Sequence, residues 1–318
     1  MSRKVMLIDG SSLIFRAFFA LPNLTNADGV MTNGVYGFLT MYFRAVEEYE
    51  PDYILVAFDK KTKTFRHKEF EDYKANRDNA PNELNYQFGI LKDILDSLNV
   101  KYLDIDGYEA DDIVGTFANM AKKEGLETVI ITGDKDYFQL VNEDVIVYLT
   151  KKGISQMEEI TEESIKKDYG ISPRQLIDVK GLMGDKSDNI PGVDGIGEKR
   201  ALSFIKEYGS MENLYENLDD ISGKKTKENL ENSRQIAFLS KKIGTIVTNA
   251  PVDFKISDLK VKDPDLASLK EKFSKYNFNK FMEKFEDSSE NEREELDFSF
   301  VFTDDYSIVD DIEKDKIF

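Results

Sequence analysis

Short apolar runs alternate with longer amphipathic stretches from residue 4 to about residue 150, and this alternation constrains the fold more than any other feature. The runs are rich in Val and Ile, as buried strands are, and they cover residues 5–8, 53–58, 100–103, 128–131 and 145–148. Apolar residues at helical spacing lie between them, over residues 34–48, 82–98 and 110–123. The alternation predicts an α/β fold with a mostly parallel central sheet flanked by helices.

Two other regions follow different patterns. Residues 60–80 join a strand to a helix, but they are too many for a simple connecting loop and hold seven Lys or Arg residues. We therefore predict an insertion over the top of the sheet. From about residue 161 the chain is predicted to be mostly helical, with Thr161 as a helix N-cap. The expected division is an α/β core at residues 1–160, a helical region at residues 161–285 and an acidic linker or tail at residues 286–318.

Acidic residues lie where the predicted strands end. Four strand ends supply seven of them, and the loop at residues 184–189 supplies two more, which gives the set Asp9, Asp59, Glu109, Asp111, Asp112, Asp134, Asp136, Asp185 and Asp188. Because the carboxyl ends of parallel strands meet at one edge of a sheet, the seven are expected to converge. Helix N-caps and first-turn acids would explain single members, but not all of them together.

The composition restricts the chemistry at this edge. The chain has no cysteine and one histidine in 318 residues, which excludes disulfides, thiol nucleophiles and zinc sites built from cysteine. Crowded carboxylates repel one another unless they are protonated or neutralised by cations. Oxygen ligands favour Mg²⁺, Mn²⁺ or Ca²⁺, and two divalent ions would relieve the repulsion.

The net charge of −18 argues at first against a phosphate partner, but residues 286–318 hold 13 of the acidic residues and only 3 basic ones. A glycine turn before Lys199 and Arg200 opens a helix and could hold phosphate on its backbone N–H groups. Basic and aromatic residues interleave in residues 60–80, as in segments that grip single-stranded nucleic acid. The alternatives are an ordinary helix–turn–helix and a solvated charged helix.

These motifs together resemble the bacterial 5′ nuclease family, the flap endonucleases that form the N-terminal domain of DNA polymerase I. The resemblance covers about residues 3–285. It depends on LIDGSS (7–12), FD (58–59), TFRH (64–67), YKANR (73–77), GYEADD (107–112), TGDKD (132–136), GDKSDNIPG (184–192) and GIGEKRA (195–201).

The resemblance implies roles for individual residues. One metal ion would be held by Asp9, Asp59, Glu109, Asp111 and Asp112, and a second would be held or oriented by Asp134, Asp136, Asp185 and Asp188. Lys74 and Arg77 match the basic pair of a helical arch, at residues 60–80, that contacts the scissile phosphate. Further DNA contacts are expected from Arg16, Arg66, Tyr73, Gly192, Gly195, Gly197, Lys199 and Arg200. A helix-hairpin-helix at residues 175–208 would hold duplex DNA, with a K⁺ ion on its carbonyl groups.

The implied function is a structure-specific 5′ nuclease that hydrolyses DNA phosphodiesters at 5′ ends and 5′ flaps in replication and repair. Two Mg²⁺ ions, or Mn²⁺, would be its cofactors. Expected partners are flapped or 5′-ended DNA, an RNA primer–DNA hybrid and a polymerase domain in cis or in trans. No apolar run reaches the length of about 18 residues that a membrane span needs, so we expect a cytoplasmic protein. The resemblance implies association with the bacterial nucleoid, and we expect a monomer. The alternatives are a metal-dependent ribonuclease and a non-catalytic module that binds branched DNA.

Overall fold

A six-stranded sheet forms the centre of the computed structural model, which describes residues 3–281 except 152 and 155. The strands are β1 (Lys4–Asp9), β2 (Tyr53–Ala57), β3 (Lys101–Leu103), β4 (Glu127–Thr132), β5 (Val145–Thr150) and β6 (Met157–Ile160). Their order is β3-β2-β1-β4-β5-β6, and every pair is parallel except β5 with β6. The predicted mostly parallel sheet is therefore confirmed.

Helices flank the sheet and continue beyond it. They are α1 (Gly10–Ala20), α2 (Asn33–Tyr49), α3 (Phe65–Glu69), α4 (Asn82–Ser97), α5 (Ala110–Lys123), α6 (Glu162–Tyr169), α7 (Leu176–Met183), α8 (Glu198–Tyr208), α9 (Met211–Glu216), α10 (Lys224–Asn232), α11 (Arg234–Gly244) and α12 (Leu266–Lys275). Among the residues that the structure describes, no helix is long and apolar enough to cross a membrane.

Both faces of the sheet are buried, which explains why its strands are apolar at consecutive positions. In β1, Met6 and Ile8 face a core shared with α1, α2 and α4, whereas Val5 and Leu7 face a core shared with α5. The strand order reverses direction between β1 and β4, and a crevice outside the carboxyl ends of two such strands is the usual ligand site of open α/β sheets.

The helical part of the chain has a core of its own. Residues of α7, α8, α9 and α11, such as Leu182, Ile205 and Leu214, form a third apolar cluster. Helix α12 returns to the α/β part, where Phe273 and Phe281 join the core of α2 and α4. The last helix therefore packs against the α/β part of the chain and not against the helical part that precedes it.

Most predicted elements have counterparts within a few residues, but two were missed. Helix α1 directly follows β1, and β6 adds an antiparallel strand at one edge. Residues 60–80 form only the short helix α3 followed by turns, and they fold against the carboxyl ends of the strands. The predicted acidic tail at residues 286–318 lies outside the described residues.

Gly10 packs tightly at the start of α1, and Gly89 in α4 provides a contrast because the space around it is open. A Cβ atom on Gly10 would lie 2.5 Å from Phe58 Cε1 and 2.9 Å from the Ala57 carbonyl oxygen, whereas one on Gly89 in α4 would meet nothing within 4 Å. We predict that Gly10→Ala destabilises the fold by about 1–3 kcal/mol through overpacking. Gly89→Ala should stabilise it by about 0.5–1 kcal/mol, because alanine loses less entropy in a helix. Urea unfolding of both variants measures this, and a stable Gly10→Ala variant would contradict it.

Candidate active site

Asp9 and Asp59 leave the ends of neighbouring strands β1 and β2 and hold the starts of two helices. Asp9 Oδ1 accepts a hydrogen bond from the Ser12 backbone N–H at 3.0 Å, and its Oδ2 accepts one from Thr132 Oγ1 at 3.2 Å. Asp59 Oδ1 accepts from the Ala110 N–H at 2.8 Å, at the start of α5. Both carboxylates are thus fixed to the sheet edge by backbone groups of the helices that follow it.

Glu109 and Asp111 stand at the start of α5 and differ in how their charge is compensated. Glu109 Oε2 accepts from Lys74 Nζ at 2.8 Å and from the Tyr73 hydroxyl at 3.0 Å. Burial raises the pKa of Glu109, but Lys74 and Arg66 outweigh it and lower that pKa to about 2. Asp111 Oδ1 is buried with no hydrogen-bond partner, and burial raises the pKa of Asp111 well above its ordinary value.

A second set of carboxylates comes from the loop after β4 and the loop after α7. One oxygen from each of Asp136, Asp185 and Asp188 lies within 4.8 Å of the others. Lys180 Nζ bridges the set, because it contacts Asp136 and lies 2.7 Å from Asp185 Oδ2. Arg77 forms an ion pair with Asp188. Lys180 was not predicted, because a lysine inside a helix gives no sign that its side chain is only 10% exposed.

We name two groups from this geometry: the first carboxylate group (Asp9, Asp59, Glu109, Asp111) and the second carboxylate group (Asp134, Asp136, Asp185, Asp188). Lys74 and Tyr73 connect them. Lys74 Nζ lies 2.8 Å from Glu109 and 4.0 Å from Asp188, and the Tyr73 hydroxyl lies 3.0 Å from Glu109 and 3.3 Å from Asp188. The two groups therefore adjoin at Glu109 and Asp188.

The residues present fit hard divalent cations. Burial and then Asp59 raise the pKa of Asp9 to about 7, while burial and then Asp136 raise the pKa of Asp134 to about 8. Together with the unpartnered Asp111 oxygen, these shifts show a deficit of positive charge around oxygen donors. Mg²⁺ and Mn²⁺ prefer such donors.

Two family models match consecutive parts of the chain. One, described as "5'-3' exonuclease, N-terminal resolvase-like domain", matches residues 4–170. The other, described as "5'-3' exonuclease, C-terminal SAM fold", matches residues 171–267. The chain belongs to the 5′-3′ exonuclease family.

Relatives of this exonuclease-family chain include longer proteins. It is 45% identical to DNA polymerase I of Bacillus caldotenax over 305 residues, which are 96% of this chain and 35% of the relative. It is 44% identical to DNA polymerase I of Bacillus subtilis over 294 residues, which are 92% of this chain and 33% of the relative. The chain thus spans about a third of the length of these relatives.

Solved structures share the fold. A bacteriophage T5 5′-exonuclease with bound zinc is 25% identical, with a TM-score of 0.64 over 76% of this chain and 89% of that one. The T5 flap endonuclease in a complex with DNA and metal ions is also 25% identical, with a TM-score of 0.65 over 77% and 90%. The catalytic core of Rad2 bound to DNA, at 20% identity and a TM-score of 0.57 over 86% of both chains, shows the fold alone.

Asp112 is bonded differently from the other carboxylates of the predicted set. It is 0% exposed, and its two oxygens accept four hydrogen bonds, from both terminal nitrogens of Arg66 and from the backbone N–H groups of Val247 and Glu109. A carboxylate has about four lone-pair sites. In this structure Asp112 therefore directs all of its lone pairs to Arg66 and the backbone, and its assignment as a metal ligand stays a prediction.

Arg66 and Tyr73 are also placed differently from the prediction that they contact DNA. Arg66 is 1% exposed and bonded to Asp112, while Tyr73 is 3% exposed and donates to Glu109 and Asp188. Both side chains are turned towards buried acids in this structure, and their contact with DNA stays a prediction. The basic and aromatic pattern of residues 60–80 does not indicate which of its side chains form buried contacts, because their acidic partners lie elsewhere in the sequence.

The other predicted DNA contacts lie at or beyond the rim of the site. Arg16 donates to the Lys151 carbonyl at 3.2 Å and keeps an unpartnered Nε. In the α7–α8 hairpin, a Cβ atom on Gly192 would lie 2.3 Å from the Met183 backbone, so only glycine closes it. The hairpin continues through Gly195, which has a φ of +72°, to Gly197 and the exposed Lys199 and Arg200 of α8.

The raised pKa values predict an unusual pH dependence of stability without metal. Asp9 and Asp134 titrate near pH 7 and 8 in the folded chain, against an ordinary value of 3.8. The folded state therefore holds more protons than the unfolded state over this range, and stability falls as pH rises. Glu109 and Asp185 have pKa values lowered to about 2. Their contribution to stability therefore changes only at acidic pH, below this range.

Thermal unfolding in EDTA measures this between about pH 5.5 and about pH 8.5. The unfolding midpoint should fall across the range, Mg²⁺ should restore it most at the alkaline end, and Asp134→Asn should show a shallower fall. A midpoint that rises steadily with pH in EDTA would show that the carboxylates are already fully compensated.

Proposed function

We propose that this chain is a metal-dependent, structure-specific 5′ nuclease that hydrolyses DNA phosphodiesters at 5′ ends and 5′ flaps. The observation that carries the proposal is that Lys74 and Arg77 join the two carboxylate groups. Lys74 lies near both Glu109 and Asp188, and Arg77 pairs with Asp188, beside Asp136 and Asp185. Membership of the 5′-3′ exonuclease family supports it, as do the metal ions and DNA in the T5 structures.

We further propose two Mg²⁺ ions, for which Mn²⁺ can substitute, one in each carboxylate group. Divalent ions there would lower the pKa of a bound water and offset the negative charge that builds on the phosphate. The unpartnered oxygen of Asp111 and the raised pKa of Asp9 favour an ion in the first group. The short separation of oxygens from Asp136, Asp185 and Asp188 favours one in the second group.

Lys74 and Arg77 are the basic residues that we assign to the scissile phosphate. Each bonds a carboxylate of a different group, Glu109 for Lys74 and Asp188 for Arg77. The Lys74 backbone, with a φ of +56°, also donates its N–H to the Asp188 carbonyl at 2.9 Å. Cations held this way need little rearrangement to stabilise negative charge on a phosphate.

DNA would be held on two sides of this site. The α7–α8 hairpin presents Lys199, Arg200 and the N-terminus of α8, which suit the phosphates of a duplex, and carbonyl groups of the hairpin would take the K⁺ ion. Residues 60–80 would admit the 5′ single strand, and Arg16 would contact a phosphate. In domain terms, residues 1–160 would be catalytic and residues 161–285 would bind DNA, with residues 286–318 as a tail.

The setting of the activity follows from the relatives. Because they are DNA polymerases I, we propose a role in removing primers or flaps, including RNA primer–DNA hybrids, next to a polymerase domain in cis or in trans. The proposed state is a monomer in the bacterial cytoplasm, at the nucleoid. A module that binds branched DNA without cleaving it, and a ribonuclease, are the outcomes to be distinguished.

A single assay on labelled substrates tests the function. We predict that the chain cuts a 5′ flap with Mg²⁺ but not with EDTA, and that it cuts a matched single-stranded RNA poorly. Asp134→Ala should lower the cleavage rate by more than about 100-fold, beyond the effect of removing a supporting residue, and should leave flap binding intact. Asp219→Ala is the matched control, because that carboxylate is 97% exposed and remote from both groups.

Three results would contradict the proposal. Binding without cleavage by the native chain would favour the non-catalytic module, and preferential cleavage of RNA would favour the ribonuclease. Full activity of Asp134→Ala would show that the second carboxylate group is not the metal site.

A further inference from the structure

A buried arginine from a distant part of the chain donates hydrogen bonds to backbone carbonyl groups at the end of α11. Arg66 Nε donates to the Ile243 carbonyl at 2.9 Å, and one terminal nitrogen donates to the Thr245 carbonyl at 3.2 Å. A cation is favourable at a helix C-terminus, where carbonyl groups lack partners within the helix. We call residues 243–247 the α11 hub.

Asp112 connects this hub to the first carboxylate group. Its Oδ1 accepts from the Val247 N–H at 2.8 Å, and its Oδ2 accepts from the Glu109 N–H at 3.1 Å. Its ion pair with Arg66, at 2.7 Å, completes the connection. Arg66 also lies 3.7 Å from a carboxylate oxygen of Glu109 and 3.7 Å from one of Asp111. Through Asp112 and Arg66, the hub is therefore connected to the Glu109 backbone and lies beside the carboxylates of Glu109 and Asp111.

Gln139 connects the same hub to the second carboxylate group. Its side-chain oxygen accepts from the Ile246 N–H at 2.9 Å, and its nitrogen donates to the Gly244 carbonyl at 3.1 Å and to the Asp136 carbonyl at 3.0 Å. Gly244 also leaves space for the Lys180 side chain, whose Cδ would lie 3.0 Å from a Cβ atom at that position. Lys180 in turn contacts Asp136 and Asp185.

We propose that the α11 hub sets the separation of the two carboxylate groups, with Arg66, Asp112 and Gln139 as positioning residues that do not themselves bind metal. The inference rests on the proposed function, because fixed separation matters only if both groups bind ions. Its physical basis is that the backbone of the hub forms hydrogen bonds with side chains beside both groups. Arg66 and Asp112 lie beside the first group, and Gln139 lies beside the second. Partners of this kind typically change metal affinity or activity by about 10–100-fold.

Calorimetric titration of Mn²⁺ into the full chain without DNA tests the proposal. Gln139→Ala and Asp112→Asn should each keep the number of bound ions and weaken their affinity by about 10–100-fold. Flap cleavage by Gln139→Ala should fall at limiting Mn²⁺ and recover at high Mn²⁺. Asp136→Asn, which alters a proposed ligand, should instead lose an ion from the count.

Gln175→Ala is the matched control. Gln175 also bridges backbone groups, because it accepts from the Ser172 N–H and donates to the Gly209 carbonyl, but it contacts neither carboxylate group. It should lower the thermal midpoint without changing Mn²⁺ affinity. If Gln139→Ala behaves like Gln175→Ala, the hub is merely structural and the proposal fails.

Other outcomes separate this inference from the proposed function. Loss of a bound ion in Asp112→Asn would make Asp112 a ligand and overturn its positioning role. A folded Gln139→Ala variant keeps the test decisive if Asp112→Asn does not fold. A native chain that binds no Mn²⁺ and cuts no flap would refute both proposals, whereas native binding and cleavage with unchanged variants would refute the hub alone.

Discussion

Repulsion among carboxylates at one edge of a parallel sheet is the constraint on which the rest of the site depends. The strand order places the ends of β1 and β4 side by side, with Asp9 buried at the end of β1 and Asp134 and Asp136 half-buried after β4. Like charges in a region of low dielectric are costly. The chain compensates part of this cost with Lys74, Lys180 and Arg66, each of which contacts at least two acids. The remainder is left to protons or bound cations.

Several carboxylates of the site also make hydrogen bonds and ion pairs that stabilise the fold. Asp9 and Asp59 hold helix starts while they face the site, and Asp112 holds an arginine instead of an ion. Removing one partner of a buried ion pair leaves an uncompensated charge. Changes at Asp112 are therefore expected to affect folding and metal affinity together, whereas changes at Asp136, which is partly exposed, act mainly on the metal.

Features that depend on neighbouring residues, such as strands, helices and the acids that follow strands, could be predicted from the sequence. The burial of a side chain by residues distant in the chain could not. The carboxyl edge was predicted because acids directly follow apolar strands, and α5 was predicted with its observed bounds, Ala110–Lys123. The buried contacts of Arg66 could not be predicted, because its partners, Asp112 and the end of α11, are 46 and 177 residues away. Lys180 was missed for the same reason. No local pattern distinguishes a buried cation from a solvated one when acids from elsewhere in the chain determine its place.

We propose that the two carboxylate groups, without Asp112, bind the divalent cations of the chain. Anomalous scattering from a crystal containing Mn²⁺ would locate these ions. One ion is expected against oxygens of the first group and one against oxygens of the second, with Asp112 still paired to Arg66. An ion bound by Asp112, or no ion at either group, would refute this proposal.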